Sequence, residues 1–202
     1  MSDAVSFDQN GLVPCVAQDW NTGEVLTLAY MNAEALRMTV ETREVHFFSR
    51  SRQELWRKGE TSGNVLRLRR LRYDCDADAL LALVEPAGPA CHTGERTCFY
   101  RDLEGERELA PHEALPELER TLGERARERP EGSYTAELLD DPARIGDKVR
   151  EEADEVARAA AGESDERLAE EAADVLYHLE VLMLSRGQSL AAALEVLNGR
   201  RG

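Results

Sequence analysis

Lysine, positive charge and long apolar runs are all scarce in this chain. Only two of its 25 basic residues are lysines, Lys58 and Lys148, and the formal net charge is −15 over 202 residues. Because duplex nucleic acid is bound by basic residues that neutralise phosphates, we expect no nucleic-acid partner. No stretch approaches the roughly 18 apolar residues of a membrane-spanning helix, and the first ten residues lack the basic and apolar regions of a signal peptide. We therefore expect a cytoplasmic protein that does not enter a membrane.

Cysteine is also scarce, and three of the four cysteines are clustered. Cys15 lies in an apolar run and is predicted to be a small buried residue. Cys75, Cys91 and Cys98 are separated by 15 and 6 residues, which is not the close paired spacing of a zinc finger. Three thiolates leave the fourth tetrahedral position of Zn²⁺ open, as a catalytic site needs, whereas His92 as fourth ligand would make the zinc structural. The spacing leaves both interpretations open.

Three aspartates surround the first of these cysteines. If residues 74–78 are extended, Asp74, Asp76 and Asp78 lie on one face of a strand and Cys75 on the other. Like charges on one face repel unless a cation neutralises them, and carboxylate oxygens suit Mg²⁺ while thiolates suit Zn²⁺. One short strand would then serve two metals from its two faces.

A polar segment at residues 49–64 combines basic side chains with glycines. Arginine and lysine supply charge-assisted donors to phosphate, and Gly59 and Gly63 let the backbone approach a ligand closely. Trp56 would either stack on a base or fill the core. The segment is therefore a candidate phosphate site or a solvated basic loop.

Apolar patterning divides the chain into two regions. Before Gly105, β-compatible runs outnumber helices, with predicted strands at residues 12–20, 24–30, 45–49, 65–76, 80–85 and 97–103, and one helix at 33–42 capped by Asn32. After it, apolar residues recur at helical spacing in four stripes: 115, 118, 122 and 126; 145, 149, 153, 156 and 160; 168, 172, 175, 179 and 182; and 190, 194 and 197. We expect an α+β domain at residues 1–110 and a helical bundle at 111–202.

Two of the predicted helices carry acidic residues at neighbouring positions. Glu151, Glu152 and Glu155 follow Lys148 on one helix, and Glu171 and Asp174 precede His178 on the next. Facing helices of a bundle bring such carboxylates around a metal, and Mg²⁺ held there would bridge nucleotide phosphates even in an acidic protein. In a region this rich in glutamate, the same pattern also fits a solvated helix face.

Taken together, the motifs resemble two families. The first half is similar to phosphoribosyl-AMP cyclohydrolase, and the second half to the all-helical, MazG-like phosphoribosyl-ATP pyrophosphatase. The first match consists of residues 28–32, 49–52, 55–64 and 74–78, Cys91-His92-Thr93-Gly94 and Cys98-Phe99; the second consists of Gly132-Ser133-Tyr134-Thr135, Lys148, Glu151, Glu152, Glu155 and residues 171–178. The order of the halves is that of the bifunctional histidine-biosynthesis proteins.

The resemblance implies two successive hydrolyses of a phosphoribosyl nucleotide. Phosphoribosyl-ATP would lose pyrophosphate, and the adenine ring of phosphoribosyl-AMP would then open between N1 and C6. The resemblance also implies a homodimer whose zinc ligands come from both subunits. The implied residues are Cys75, Cys91 and Cys98 for Zn²⁺; Asp74, Asp76 and Asp78 for a first Mg²⁺; Glu151, Glu152, Glu155, Glu171 and Asp174 for a second; His92, Lys58, Glu152, Glu155 and Asp174 for catalysis; and Ser49, Arg50, Ser51, Arg52, Trp56, Lys58, Glu60, Ser62, Asn64 and Lys148 for substrate.

The chain departs from the family pattern at two glycine positions. Ala77 replaces a usual glycine in the aspartate run, which a strand tolerates, and Arg150 replaces one before Glu151, which a helix favours. Two other functions stay open on the residues alone. One is a general nucleoside triphosphate pyrophosphatase fused to a structural zinc module, and the other is a zinc-stabilised interaction module with a helical dimerisation tail.

Overall fold

The computed structural model describes residues 4–106 and 108–200, so part of the polar N-terminus, residues 1–3, lies outside it. The chain divides into two units, Met1–Leu109 and Ala110–Gly202. The first is strand-rich and the second is helical, which confirms the predicted fold classes.

A four-stranded sheet forms the frame of the first unit. Its order is β2-β1-β6-β5, with β1 parallel to β6 and the other neighbours antiparallel, while β3 and β4 form a separate hairpin. The elements are β1 (Val13–Asp19), β2 (Val25–Met31), α1 (Ala33–Thr42), β3 (His46–Ser49), β4 (Glu54–Arg57), β5 (Leu66–Tyr73) and β6 (Leu80–Pro86).

Alternation of apolar and polar residues places the core of this unit. In β1 every second side chain is buried, from Val13 through Cys15 to Asp19, as the period-2 geometry of a strand requires. Phe47 and Leu66 fill the centre of the core at 0% exposure. Cys15 is buried as predicted, and burial raises the pKa of its thiol to about 12. Asn32 caps α1 through Oδ1, which accepts from the Ala35 N–H at 2.8 Å.

Two strand predictions and one loop prediction in this unit are wrong. The polar composition and the glycines of residues 51–64 predict a loop, but this segment contains β4, which pairs with β3. β5 ends at Tyr73, and residues 74–78 form a bend, not a strand, so their side chains do not alternate between two faces. Residues 97–103 are irregular. The bend is rich in aspartate, which strands disfavour, and the irregular segment is held by hydrogen bonds from Thr97 and Cys98 to β2.

The bend explains why glycine is usual at position 77. Ala77 has φ = 64°, in the left-handed region where a side chain is strained. The expectation that a strand would accommodate Ala77 is therefore wrong. Its carbonyl accepts from the Ser6 N–H at 2.7 Å, which fastens the bend to the N-terminal segment.

The second unit consists of helices. They are α2 (Ala114–Glu128), α3 (Tyr134–Asp140), α4 (Pro142–Gly162), α5 (Asp165–Ser185) and α6 (Leu190–Gly199), preceded by a 3-10 turn at Pro111–Glu113. The four predicted stripes fall on α2, α4, α5 and α6. The seven-residue α3 was not predicted, because it is too short to show a helical period.

The fully buried face of α4 differs from its predicted apolar stripe. Ala153 and Ala160 are exposed, whereas Ile145, Glu152 and Ala159 are buried. Alanine constrains the orientation of a helix weakly because it buries little area. The face that packs on α5 therefore includes a carboxylate. None of the described helices is both long enough and apolar enough to cross a bilayer.

Candidate functional sites

Two of the three clustered cysteines meet in one loop of the first unit. Cys91 and Cys98 lie on the two arms of a short hairpin-like loop, in which the Cys91 N–H donates to the Glu95 carbonyl at 3.0 Å. The Thr93 hydroxyl donates to Cys91 Sγ at 3.1 Å and lowers the pKa of that thiol. Partial burial raises the pKa of Cys98, which also interacts with the Cys91 thiol. The loop therefore brings together two thiols, and the surroundings favour the thiolate, which binds a soft cation, at Cys91 and disfavour it at Cys98.

Lys58 and His92 lie beside this pair. The positive charge of Lys58 acts on Cys98 to oppose the rise in its thiol pKa, so the ammonium group is near the thiols. His92 Nδ1 is 3.9 Å from Cys91 Sγ. The structure thus brings both predicted catalytic residues of the first unit to the thiol loop. It leaves open whether His92 coordinates a metal or accepts a proton.

Cys75 does not join the other two cysteines within one chain. It lies in the turn before β6, whereas Cys91 and Cys98 follow the other end of β6 and Cys98 is hydrogen-bonded to Leu26 near the start of β2. Among the described residues, the three thiols do not all lie within 4.8 Å of one another. One copy of this fold, as described, therefore does not gather the three thiols into a single metal-binding group.

The three aspartates do come together, in the β5–β6 turn. Carboxylate oxygens of Asp74, Asp76 and Asp78 lie within 4.8 Å of one another on the surface. The Ala79 N–H donates to Asp74 and lowers the pKa of its carboxyl, while the charges of Asp76 and Asp74 raise the pKa of Asp78. The cluster presents hard oxygen ligands, and these fit Mg²⁺ better than a soft metal.

The basic segment is divided between structural and solvent-facing roles. Trp56 packs against Phe47 with ring centroids 5.3 Å apart, which favours the core interpretation of this tryptophan. Arg50 stacks over the Tyr30 ring at 3.9 Å, and Arg52 pairs with Glu54 at 2.8 Å. The other candidates for substrate are on or next to the β3–β4 hairpin: Ser49, Ser51, Lys58, Glu60, Ser62 and Asn64.

Glycines hold the end of this segment against its neighbours. Gly59 has φ = 84°, and a Cβ there would lie 2.3 Å from the Asn64 backbone carbon. A Cβ on Gly88 would lie 2.5 Å from Asn64 Oδ1. Position 59 therefore requires glycine, because its neighbour is backbone, whereas a side chain at position 88 would displace the Asn64 side chain.

The acidic residues of the second unit form a compact site between α4 and α5. Carboxylate oxygens of Glu152, Glu155 and Glu171 lie within 4.8 Å of one another. Glu152 is 6% exposed and Glu171 is 2% exposed. Burial raises the pKa of Glu171 even though Arg167 contacts it, and Glu155 adds to the rise. Carboxylates this close and this buried have the chemistry of a divalent-cation site.

Lys148 and His178 border the acidic site. The Lys148 ammonium lies 2.8 Å from Glu151 Oε2 and 3.0 Å from Glu152 Oε1, and the two carboxylates raise its pKa well above the usual value. His178 Nδ1 is 3.7 Å from Glu152 Oε1, and its Nε2 is 3.2 Å from the Tyr134 hydroxyl. The Lys148 ammonium thus neutralises part of the negative charge, and His178 lies beside it as a hydrogen-bonding group.

Two of the predicted magnesium ligands lie outside the three-carboxylate group. Glu151 is exposed and paired with Lys148, which lowers the pKa of its carboxyl. Asp174 is also exposed, and its charge helps to raise the pKa of Glu171 one turn earlier. Both are near the site without belonging to its closest set of oxygens.

Comparison with known proteins identifies both halves. The family model for phosphoribosyl-AMP cyclohydrolase matches residues 27–100, and that for phosphoribosyl-ATP pyrophosphohydrolase matches residues 115–201. A "Histidine biosynthesis bifunctional protein HisIE" of Bacillus subtilis is 50% identical over 200 residues, covering 98% of this chain and 96% of the relative. This chain belongs to the HisIE family. The HisIE of Thermus thermophilus is 53% identical over 189 residues, covering 91% of this chain and 86% of the relative.

Membership of the HisIE family confirms the resemblance read from the motifs. It also makes a bifunctional enzyme, not an interaction module, the correct class for this chain. Several residues around the two sites were missed because their types are common and their partners are distant in sequence: Thr93, Arg96, Tyr134, Arg167 and Tyr177. Thr93, Tyr134 and Tyr177 fell inside motifs singled out beforehand, whereas Arg96 and Arg167 did not.

Proposed function

We propose that the two halves act in turn on one ribotide. The helical domain, residues 111–202, hydrolyses phosphoribosyl-ATP to phosphoribosyl-AMP and pyrophosphate. The strand-rich domain, residues 1–110, then adds water to the adenine ring of phosphoribosyl-AMP and opens the N1–C6 bond. The assignment of the first reaction is carried by the buried group of Glu152, Glu155 and Glu171, which suits a metal-assisted reaction at phosphate.

In the helical domain, the acidic residues would hold Mg²⁺. Glu152, Glu155 and Glu171 are the closest ligands, with Glu151 and Asp174 at the edge of the site. Mg²⁺ supplies positive charge that offsets the negative charge of the pyrophosphate oxygens. Lys148 adds a donor for phosphate, and Glu152, Glu155 and Asp174 orient water and accept its proton.

In the strand-rich domain, Cys91 and Cys98 of one subunit and Cys75 of another would hold Zn²⁺. The separation of Cys75 from the thiol loop in one chain supports a homodimer with shared ligands. Zn²⁺ supplies the Lewis acidity that makes water a usable nucleophile near neutral pH. Three thiols leave room for water at the metal, which favours the catalytic over the structural interpretation of this zinc.

Side chains around the thiol loop would bind phosphoribosyl-AMP. Lys58 stabilises negative charge next to the thiols, and His92 receives the proton lost by water. The hairpin residues Ser49, Arg50, Ser51, Arg52, Glu60, Ser62 and Asn64 supply donors and acceptors to ribose and phosphate, while Trp56 supports the hairpin from the core. The surface aspartates Asp74, Asp76 and Asp78 would hold the other Mg²⁺.

Paired variants test the two assignments separately. In Glu171→Gln, pyrophosphate release from phosphoribosyl-ATP should fall at least about 100-fold while ring opening of supplied phosphoribosyl-AMP is retained. Cys91→Ser should give the reverse pattern, with loss of bound zinc. Glu170→Gln, an exposed neighbour of Glu171, and Cys15→Ala, a buried thiol outside the loop, are matched controls that should keep both activities. Loss of both activities in either test variant, with the fold intact, would contradict the division of labour.

A further inference from the structure

The loop that carries Cys91 and Cys98 is fastened to the β1–β2 turn by an ion triad whose two carboxylates are buried. Arg96 lies between the two cysteines in sequence, and its guanidinium binds Asp19 Oδ2 at 2.5 Å and Glu24 Oε2 at 2.8 Å. Asp19 is 3% exposed and Glu24 is 8% exposed. Two buried carboxylates are costly unless they are paired, so the position of Arg96 is strongly determined.

Hydrogen bonds within the loop and from the loop to β2 link the position of Arg96 to the positions of the two cysteines. The Ala90 N–H donates to the Arg96 carbonyl at 3.0 Å, which joins the two arms of the loop one residue before Cys91. The Thr97 hydroxyl donates to the Val25 carbonyl at 2.6 Å, and the Cys98 N–H donates to the Leu26 carbonyl at 2.8 Å. Arg96 is therefore flanked by contacts that set the location of both cysteines relative to β2.

The turn that receives Arg96 is itself rigid. Asp19 Oδ1 accepts from the Asn21 N–H at 2.8 Å and the Thr22 N–H at 3.2 Å, while the Thr22 hydroxyl donates to Glu24 at 2.9 Å. The two carboxylates are thus held in place before they bind the guanidinium. A planar fork that bonds two fixed acceptors restricts orientation, which the point charge of lysine does not do.

We propose that Arg96, held by Asp19 and Glu24, is a positioning residue that presets the separation and direction of the Cys91 and Cys98 thiols for the metal. It does not touch the substrate or the metal. The inference rests on the proposed zinc site and adds to it the interaction that orients two of its three thiols. Groups that orient metal ligands typically change metal affinity by about 10- to 100-fold when they are altered.

The test is zinc affinity of the full-length chain, measured by competition with a chromophoric chelator. Arg96→Lys keeps the charge but not the fork, and it should weaken zinc binding by about 10-fold or more. Asp19→Asn keeps an oxygen that accepts from the Asn21 and Thr22 N–H groups but removes the negative charge. It should also weaken zinc binding, but by less than Arg96→Lys does. Arg37→Lys, in an exposed pair with Glu41 on α1, is the matched control and should leave zinc affinity unchanged.

Two further readouts separate positioning from general destabilisation. The thiolate-to-Co²⁺ absorption bands of the Co²⁺-loaded chain should shift in Arg96→Lys and not in Arg37→Lys, because these bands report ligand geometry. Pyrophosphate release, which belongs to the other unit, should be unchanged in all three variants and shows that the helical unit is unaffected.

The outcomes distinguish this inference from the proposed function. If Arg96→Lys binds zinc within about twofold of the unaltered chain and its Co²⁺ bands do not move, the positioning role is wrong while the zinc site stands. If Cys91→Ser leaves the zinc content unchanged, the zinc site itself is wrong and the inference falls with it. An Arg96→Lys chain with unchanged affinity and bands but a lower unfolding temperature would assign the triad a purely structural role.

Discussion

At the residue scale, Glu180 is a buried acid that neither proposed reaction uses. It is 4% exposed, and neither of its carboxylate oxygens has a hydrogen-bond partner within the described part of the chain. Burial, with a smaller contribution from the charge of Glu119, raises its pKa to about 7. The two glutamates border a cavity of about 20 Å³ between α2, α5 and α6, which has room for roughly one water molecule.

This raised pKa predicts that Glu180 lowers stability at high pH. From the unfolded value of 4.5 up to about 7, the folded chain binds more protons at this site than the unfolded chain does, so the free energy of unfolding falls as pH rises through this window. The loss is at most about 3 kcal/mol. Chemical denaturation at a series of pH values across this window should show Glu180→Gln gaining stability over the unaltered chain with rising pH.

The control for this prediction is an exposed acid on the same set of helices. Glu128→Gln, at the end of α2, should change the free energy of unfolding only slightly. The difference from the unaltered chain should not grow across this pH window. Parallel stability curves for Glu180→Gln and the unaltered chain would contradict the prediction, because they would mean that Glu180 titrates alike in both states.

Individual residues also show which predictions from sequence motifs were right and which were wrong. The aspartates and the acidic helix residues were found because their charge is unusual at that spacing, and Asp74, Asp76 and Asp78 do lie together. The left-handed backbone at Ala77 was missed because alternating residues favoured a strand. The backbone conformation of this turn depends on distant contacts, such as the hydrogen bond from the Ser6 N–H to the Ala77 carbonyl. The local sequence pattern contains no information about such contacts.

At the element scale, helix ends were predicted better than strand ends. The predicted boundaries of α1 agree with the structure because Asn32 caps it locally. The end of β5 and the irregular segment after Cys98 were wrong because strand pairing is decided by partners far along the chain. The same reasoning explains why the stripe on α4 missed Glu152, since only packing against α5 reveals a buried carboxylate.

The cap of α1 yields a stability prediction. Asn32→Ala removes the acceptor of the Ala35 N–H and should lower the free energy of unfolding by about 1 kcal/mol. Ser189 is the matched control, because it occupies the N-cap of α6 without a side-chain capping bond. Denaturant titration should therefore show a clear loss for Asn32→Ala and a much smaller one for Ser189→Ala. Equal losses would mean that the capping bond is not the cause.

At the scale of the whole molecule, the separation of Cys75 from the thiol loop predicts complementation between inactive chains. Cys75→Ser and Cys91→Ser should each lack cyclohydrolase activity alone. A refolded equal mixture should recover about a quarter of the unaltered activity, because half of random dimers are mixed and each mixed dimer has one intact site of two.

The measurement is the rate of phosphoribosyl-AMP ring opening after co-refolding. A mixture of Cys91→Ser with Cys98→Ser is the control and should recover nothing, since both thiols come from the same loop and therefore from the same subunit. Recovery in the control, or none in the test mixture, would contradict ligand sharing between subunits.

The sequence by itself determined the family, the order of the two activities and the residue types available for metals. These depend on short motifs that can be recognised without knowledge of the fold. Tertiary structure alone decided which of those residues meet. It placed Glu152, Glu155 and Glu171 together, left Glu151 paired with Lys148, and put Cys75 at the other end of β6 from Cys91. The reason is physical: composition sets what a side chain can bind, whereas long-range strand pairing and helix packing set its neighbours.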